Sequence, residues 1–250
     1  MHGLTVLILA LAAFFAGLVD SVAGGGGLLS LPALLVAGVP PHVALGTNKV
    51  QSCLGTAVGT ARYLKGRHLH LPTGALSSLG AFGGSLLGAR LALAVPGDVL
   101  AKAVPFLVLA VGLFTFLRPS FGLDDRFTGI GRPGLAGAFL LGLCIGTYDG
   151  FFGQGTGTFL AFFYVLLFGF GFLRATGNAK LTNLASNVGA LTAFTLANRI
   201  SWSIALPMAA ANIAGNWLGA GLAIRRGASL IKPVFGLVLA GLLIKLVLFS

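Results

Sequence analysis

The sequence predicts an all-α, polytopic integral membrane protein built from two repeats, each opening with a helix that glycines break. Three observations carry this. First, the 250 residues are 56% hydrophobic and only 8% charged, with a mean hydropathy of +0.98, whereas soluble domains carry about 25% charged residues. Second, residues 4–37 are apolar apart from a few positions around Gly24-Gly25-Gly26-Gly27. As one helix they would be ~51 Å long, well beyond the ~30 Å hydrocarbon core of a bilayer. The stretch must break, and glycines without Cβ are where helical order is lost. Third, the broken motif recurs.

Gly17-Leu18-Val19-Asp20 followed by Gly24-Gly25-Gly26 meets Gly146-Thr147-Tyr148-Asp149 followed by Gly153-Gln154-Gly155 at an offset of 129 residues. At an offset of 131, Ala44, Gly46, Asn48 and Lys49 fall on Ala175, Gly177, Ala179 and Lys180, and Gly84, Gly88 and Ala89 on Gly215, Gly219 and Ala220. Internal repetition on this scale is the signature of a duplicated transporter-like unit. It divides the chain into a first repeat over residues 1–117, a linker over 118–132 that includes Asp124-Asp125, and a second repeat over 133–250.

The elements follow in order, about five to a repeat. Residues 4–22 are the first arm and 28–37 the second, closed by Gly38 and Pro40-Pro41, which cannot continue a helix. Residues 43–64 form the next span, ending in Arg62, Lys65 and Arg67. Residues 71–94 follow, with Gly80, Gly84 and Gly88 at four-residue spacing, a face for close helix packing. Residues 99–117 complete the repeat. The second repeat runs through arms at 134–152 and 157–172, then spans at 175–197, 202–224 and 230–249.

Backbone exposed at the breaks cannot face lipid and must be buried in protein or line a cavity. If each broken stretch turns back as a hairpin, the repeats are inverted. Lys49, Arg90, Lys102, Arg199 and Lys245 then lie on one side and the other eleven of the 16 basic residues opposite, as the positive-inside rule requires. If each broken stretch crosses as one span, the repeats are parallel and the charge divides eight against eight. The inverted arrangement is preferred.

Composition also excludes. The net charge of +11 comes from basic residues scattered at helix ends, not from one soluble basic face, so nucleic-acid binding is not expected. Cys53 and Cys144 lie in apolar segments as packing residues, and the four histidines are too scattered for a metal site. The first apolar run lacks a basic flank and reads as a span, not a cleavable signal. With no Glu and no intramembrane Ser/His pair, no enzyme is expected, nor any cofactor or metal.

Asp20 and Asp149 are two of only five acidic residues, at equivalent positions within apolar arms. A carboxylate there is costly unless protonated or partnered. It serves either as a proton or cation coupling site or as a cap for backbone N–H groups at the break. Lys49 and Lys180 are likewise equivalent, each near the expected start of a span. Beside helix N-terminal N–H groups an ammonium favours an anion; the alternative is a lysine snorkelling to the interface. Thr47, Asn48, Gln51, Asn178, Asn183 and Asn187 are polar on the same segments. With Gly24, Gly25, Gly26 and Gly27 at the first break, and Gly153, Gln154, Gly155 and Thr156 at the second, they complete the expected substrate site.

The run from Phe15 to Leu34, with Asp20 and the four glycines inside it, then Ala44 to Gln51, resembles the TauE/SafE sulfite exporter (4-toluene sulfonate uptake permease-type) family in its YfcA-like branch. Tyr148 to Gly153 and Ala179 to Asn183 fit as well, although Gln154 and Thr156 depart from the glycine-rich pattern of the first motif. The resemblance covers essentially the whole chain. It implies a multi-pass permease or exporter of a bacterial inner membrane, for sulfite, sulfonates or another small sulfur-containing or organic anion. The expected mechanism is alternating access between the repeats, with a proton or cation as coupling partner. An anion channel and a non-transporting scaffold or receptor are the alternatives. The glycine faces serve equally well within one chain or between two, so a homo-oligomer is also open.

Overall fold

The computed structural model describes residues 3–100 and 125–226, and among them the protein is wholly helical. The elements are α1 (Gly3–Ala23), α2 (Gly27–Val36), α3 (Pro41–Lys65), α4 (Leu71–Ala94), α5 (Arg132–Phe151), α6 (Thr156–Phe168), α7 (Phe172–Leu196) and α8 (Trp202–Arg226). The expected spans at 99–117 and 230–249 lie outside the described residues.

The run of apolar residues breaks where the glycines stand. Gly24 takes φ +80°, a left-handed conformation costly to any residue with a Cβ. The chain then folds back, so that a Cβ on Gly26 would lie 2.6 Å from Asp20 Cβ. In the second break, Gly153 at φ +78° and Gly155 at φ +71° do the same work. There Tyr148 and Phe159 come ring to ring at 5.5 Å. The second arm ends earlier than the expected residue 172. Gly169 sits at φ +69° as the left-handed C-cap of α6, its N–H returning to the Val165 carbonyl. Pro41 does not merely close α2 but opens α3 as its first residue, where its missing N–H costs nothing.

Among the described residues three helices, α1, α4 and α5, are long and apolar enough to cross a bilayer. Their outward faces are hydrocarbon: Leu4 is 68% exposed, Leu79 65% and Leu91 56%. Inside, an apolar core that includes Leu28, Leu31, Phe152 and Phe194 lies alongside buried polar side chains. Lys49, Lys180, Asp149, Asn178, Asn187, Asn212 and Asn216 are all buried. An apolar exterior with charged and amide side chains buried departs from the order of a soluble protein and suits lipid as solvent. α3 and α7, each 25 residues long, carry the polar residues and pack on one another.

The glycine faces work within the chain. α4 packs most extensively on α5, and α1 on α8. A Cβ on Gly80, Gly84 or Gly88 would overlap the carbonyl oxygens of Phe139, Leu143 and Thr147 in turn. Gly142, Gly146 and Gly150 answer from α5 against Ser77, Ala81 and Ser85. On the other side of the molecule, Gly215 and Gly219 meet Phe14 and Leu18. Such approach replaces the hydrophobic drive that lipid does not supply with dispersion and backbone contact. Ser77 and Ser85 also donate to the carbonyls of Ala138, at 2.8 Å, and Ser186, at 2.6 Å. Every one of these contacts joins an element before residue 100 to one after residue 125.

Candidate functional site

The two glycine breaks meet. Cα of Gly24 lies 2.6 Å from where a Cβ on Gly157 would stand, so backbone touches backbone at the centre of the molecule. Around this contact α2 and α6 begin, and α3 and α7 pass by, each presenting a lysine as its ninth residue. The helices start two and three residues earlier than the sequence suggested, so Lys49 and Lys180 lie two turns inside. The free N–H groups of their own helices are therefore out of reach, since only the first four lack partners. The N-termini near the site are those of α2 and α6.

Each lysine reaches the aspartate of the other half of the chain. Lys49 Nζ donates to Asp149 Oδ2 at 2.8 Å and to Asn187 Oδ1 at 3.2 Å. Lys180 Nζ pairs with Asp20 Oδ2. Burying either charge alone would be prohibitive, and the crossed pairing lets both lysines lie within the core. Asp149 is further held by Thr156 Oγ1 at 2.7 Å and by the Ser186 hydroxyl. Asp20 has a long contact from Thr56 Oγ1 at 3.4 Å.

Beside the pairs lies a small cavity of about 20 Å³, lined by Asp20, Lys49 and Asp149 but not by Lys180, which stands behind Asp20, room for roughly one water molecule. Asp20, Gly24, Gly27, Asn48 and Lys49 line it from the first half, with Asp149, Gly153, Thr156, Asn183 and Asn187 from the second. Two of these keep a buried polar atom without a partner, Asn183 Oδ1 and Asn187 Nδ2. Such atoms are rare in an interior because each forfeits hydration. Asn48 Oδ1 accepts from Ser30 and Gln51, each at 2.6 Å.

Other expected site residues lie apart from the cavity. Thr47 Oγ1 accepts the Ser201 N–H at 3.0 Å, tying α3 to the start of α8. Asn178 donates to the Arg174 carbonyl at 2.8 Å and faces Gly74 of α4. Gln51 supports Asn48 from outside. The Gln154 side chain donates to the Phe152 carbonyl at 2.9 Å, and the Gln154 main-chain carbonyl accepts from the Tyr148 hydroxyl at 2.6 Å, which ties the second break together. Gly25, Gly26 and Gly155 shape the turns without lining the cavity.

Sequence reasoning missed Ser30, Ser52, Thr56, Gly157 and Ser186. The repeat held a signal for two of them. At the 131-residue offset Ser52 stands where Asn183 does, and Thr56 where Asn187 does.

Comparison with known proteins follows the same line. The family described as "Sulfite exporter TauE/SafE" matches residues 9–246. A "Probable membrane transporter protein ORF9" of Sinorhizobium sp is 41% identical over 235 residues, covering 94% of this chain and 89% of that protein. A "Probable membrane transporter protein YfcA" of Escherichia coli (strain K12) is 39% identical over 239 residues, 96% of this chain and 88% of the relative. A "Probable membrane transporter protein" of Haemophilus influenzae is 37% identical over 227 residues, 91% and 88% respectively. No solved structure matches the chain.

Proposed function

The chain belongs to the TauE/SafE sulfite exporter family of membrane transporters, and from that premise we propose that it carries a small anion, of the sulfite or sulfonate kind or another sulfur-containing or organic anion, across a bacterial inner membrane. The observation behind this reading is the pair of buried lysines, each neutralised by an aspartate of the other half, beside a cavity with unpartnered amides. An anion is the species that would replace a carboxylate on an ammonium. The cavity is too small for a sulfonate as it stands, so the arrangement reads as a closed state that must open to load.

Opening is assigned to movement of two inverted repeats, residues 1–117 and 133–250, about the contact of their breaks. Alternating access would then expose the lysines first to one face and then to the other. Lys49 or Lys180, with Asn48, Asn183, Asn187 and Thr156 and with Gly24, Gly27 and Gly153, is assigned to the anion, and Asp20 or Asp149 to coupling.

The test is thermal stabilisation of the detergent-purified protein by sulfite, sulfate, thiosulfate, methanesulfonate, taurine and small carboxylates. A ligand that binds the folded state alone raises Tm with concentration. A shift for a sulfur anion in the native protein, absent from Asp20→Asn/Lys180→Gln or from Asp149→Asn/Lys49→Gln, is expected. Absence of any shift from the whole panel would sink the anionic substrate.

A further inference from the structure

The two ion pairs are equivalent in sequence but not in surroundings. Thr156 and Ser186, the two hydroxyls on Asp149, both fall on glycine in the first half: Gly27 at the 129-residue offset and Gly55 at the 131-residue offset. The space is not empty. A Cβ on Gly27 would overlap Gln154 Oε1, and one on Gly55 would overlap Asn212 Oδ1. Both of these atoms are acceptors, and the donor nearest Gly55, Asn216 Nδ2, is committed to Asn212 O and Oδ1, so nothing in this volume replaces for Asp20 the hydroxyls that serve Asp149. Asp149 is 1% exposed and Asp20 13%.

We infer that the pairs do different work: Lys49–Asp149 is a fixed tie, while Asp20–Lys180 is the pair that opens, Asp20 taking a proton as Lys180 takes the anion. This rests on the anion-transport reading above. An ammonium, two hydroxyls and full burial hold Asp149 in one arrangement, whereas Asp20 has one strong partner and a margin of exposure.

The groups facing Asp20 are few. Lys180 comes from α7, and Thr56 from α3. Also on α3, Tyr63 is occupied in donating to the Ser21 carbonyl at 2.9 Å, and Lys49 stands across the cavity on Asp149. α2 carries no titratable residue, and α6 only Tyr164, which is bound to Thr182. α8 keeps its arginines at its last two positions.

Charge sets the stoichiometry. With the pair closed, carboxylate and ammonium cancel. With a proton on Asp20 Oδ2 and a monovalent anion on the ammonium, which keeps its three protons, the site is again neutral. Burying net charge is what the membrane interior penalises, so a monovalent anion moves with one proton and no net charge.

Infrared difference spectroscopy tests the division, comparing the purified protein before and after addition of methanesulfonate at a fixed pH between about 6 and about 8. A protonated-carboxyl band is expected, absent from Asp20→Asn and enlarged in Thr156→Val/Ser186→Ala, where Asp149 has lost its hydroxyls. The second variant adds a signal, so the test stays readable should the first fail to fold. A band that survives Asp20→Asn, or no band in any of the proteins, overturns the inference. Methanesulfonate, whose charge is constant over this range, is then titrated calorimetrically in buffers of different ionisation heat. Uptake of about one proton per anion is expected in the native protein and none in Asp20→Asn. Binding without proton uptake overturns the inference and leaves the anion site standing. No band and no binding heat together count against the transport reading, on which the inference rests.

Discussion

Lys49 Nζ lies 2.8 Å from Asp149 Oδ2, a residue one hundred positions away on the other half of the chain, and Lys180 pairs with Asp20 in the reciprocal sense. The ions therefore hold the halves together, and Asp20, Lys49 and Asp149 also face the cavity.

Removing one partner strands the other. Lys49→Ala should cost about 3–5 kcal/mol, because a carboxylate is left buried without its counter-ion. Asp149→Asn/Lys49→Gln should cost clearly less than the two single changes together. Thermal unfolding of the four proteins measures the coupling, and strict additivity would show that the pair contributes nothing to folding.

Adjacent glycines on α4 should respond with opposite sign. Gly84 lies against the Leu143 carbonyl, whereas a Cβ on Gly83 meets nothing within 4 Å. Gly83→Ala should stabilise by about 0.5–1 kcal/mol through helix propensity. Gly84→Ala should destabilise by about 1–3 kcal/mol by forcing α4 and α5 apart. Equal effects would mean the helices do not approach this closely.

Gly24 and Gly38 share a left-handed conformation, φ +80° and +79°, but not surroundings. Gly38 has open space, so Gly38→Ala should cost only the conformational strain of about 1–2 kcal/mol and leave transport intact. Gly24→Ala adds overlap with the Gly157 backbone, and transport should be lost in proteoliposome flux. Normal flux would reduce the meeting of the breaks to an ordinary turn.

His70, just before α4, packs against the rings of Phe127 at 4.7 Å and Phe170 at 6.0 Å. Burial, with Arg174 adding repulsion, pushes its pKa below the usual 6.5. Between the lowered value and 6.5 the unfolded chain binds more protons than the folded one, so stability should rise with pH across that window and level off above it. Below 6.5 the melting temperature should fall as His70 is forced to charge. His70→Asn should flatten this part of the profile; an unchanged profile would place the titration elsewhere.

Much of this was legible in the chain. A carboxylate in an apolar arm and a run of glycines longer than any helix tolerates are local facts, and a repeat offset exposes their partners by position. Asp20, Asp149, Lys49 and Lys180 could thus be singled out, together with the breaks that set the ends of α1, α2, α5 and α6. Thr56 and Ser52 were within reach of the same offset. Ser30, Gly157 and Ser186 were not, since a hydroxyl or glycine on an apolar helix looks the same whether it meets lipid, backbone or a carboxylate.

The sequence by itself determined the class of the protein, because composition and run length answer to the bilayer alone. It also determined where the helices fail, because a missing Cβ acts on its own residue. Only the tertiary structure decided which lysine meets which aspartate. That depends on α3 and α7 passing each other beside the two breaks, so that each ammonium reaches across to the opposite half. It also decided that the glycine face of α4 belongs to α5 of the same chain. Four-residue spacing defines a smooth surface, and only the path of the backbone says what lies against it.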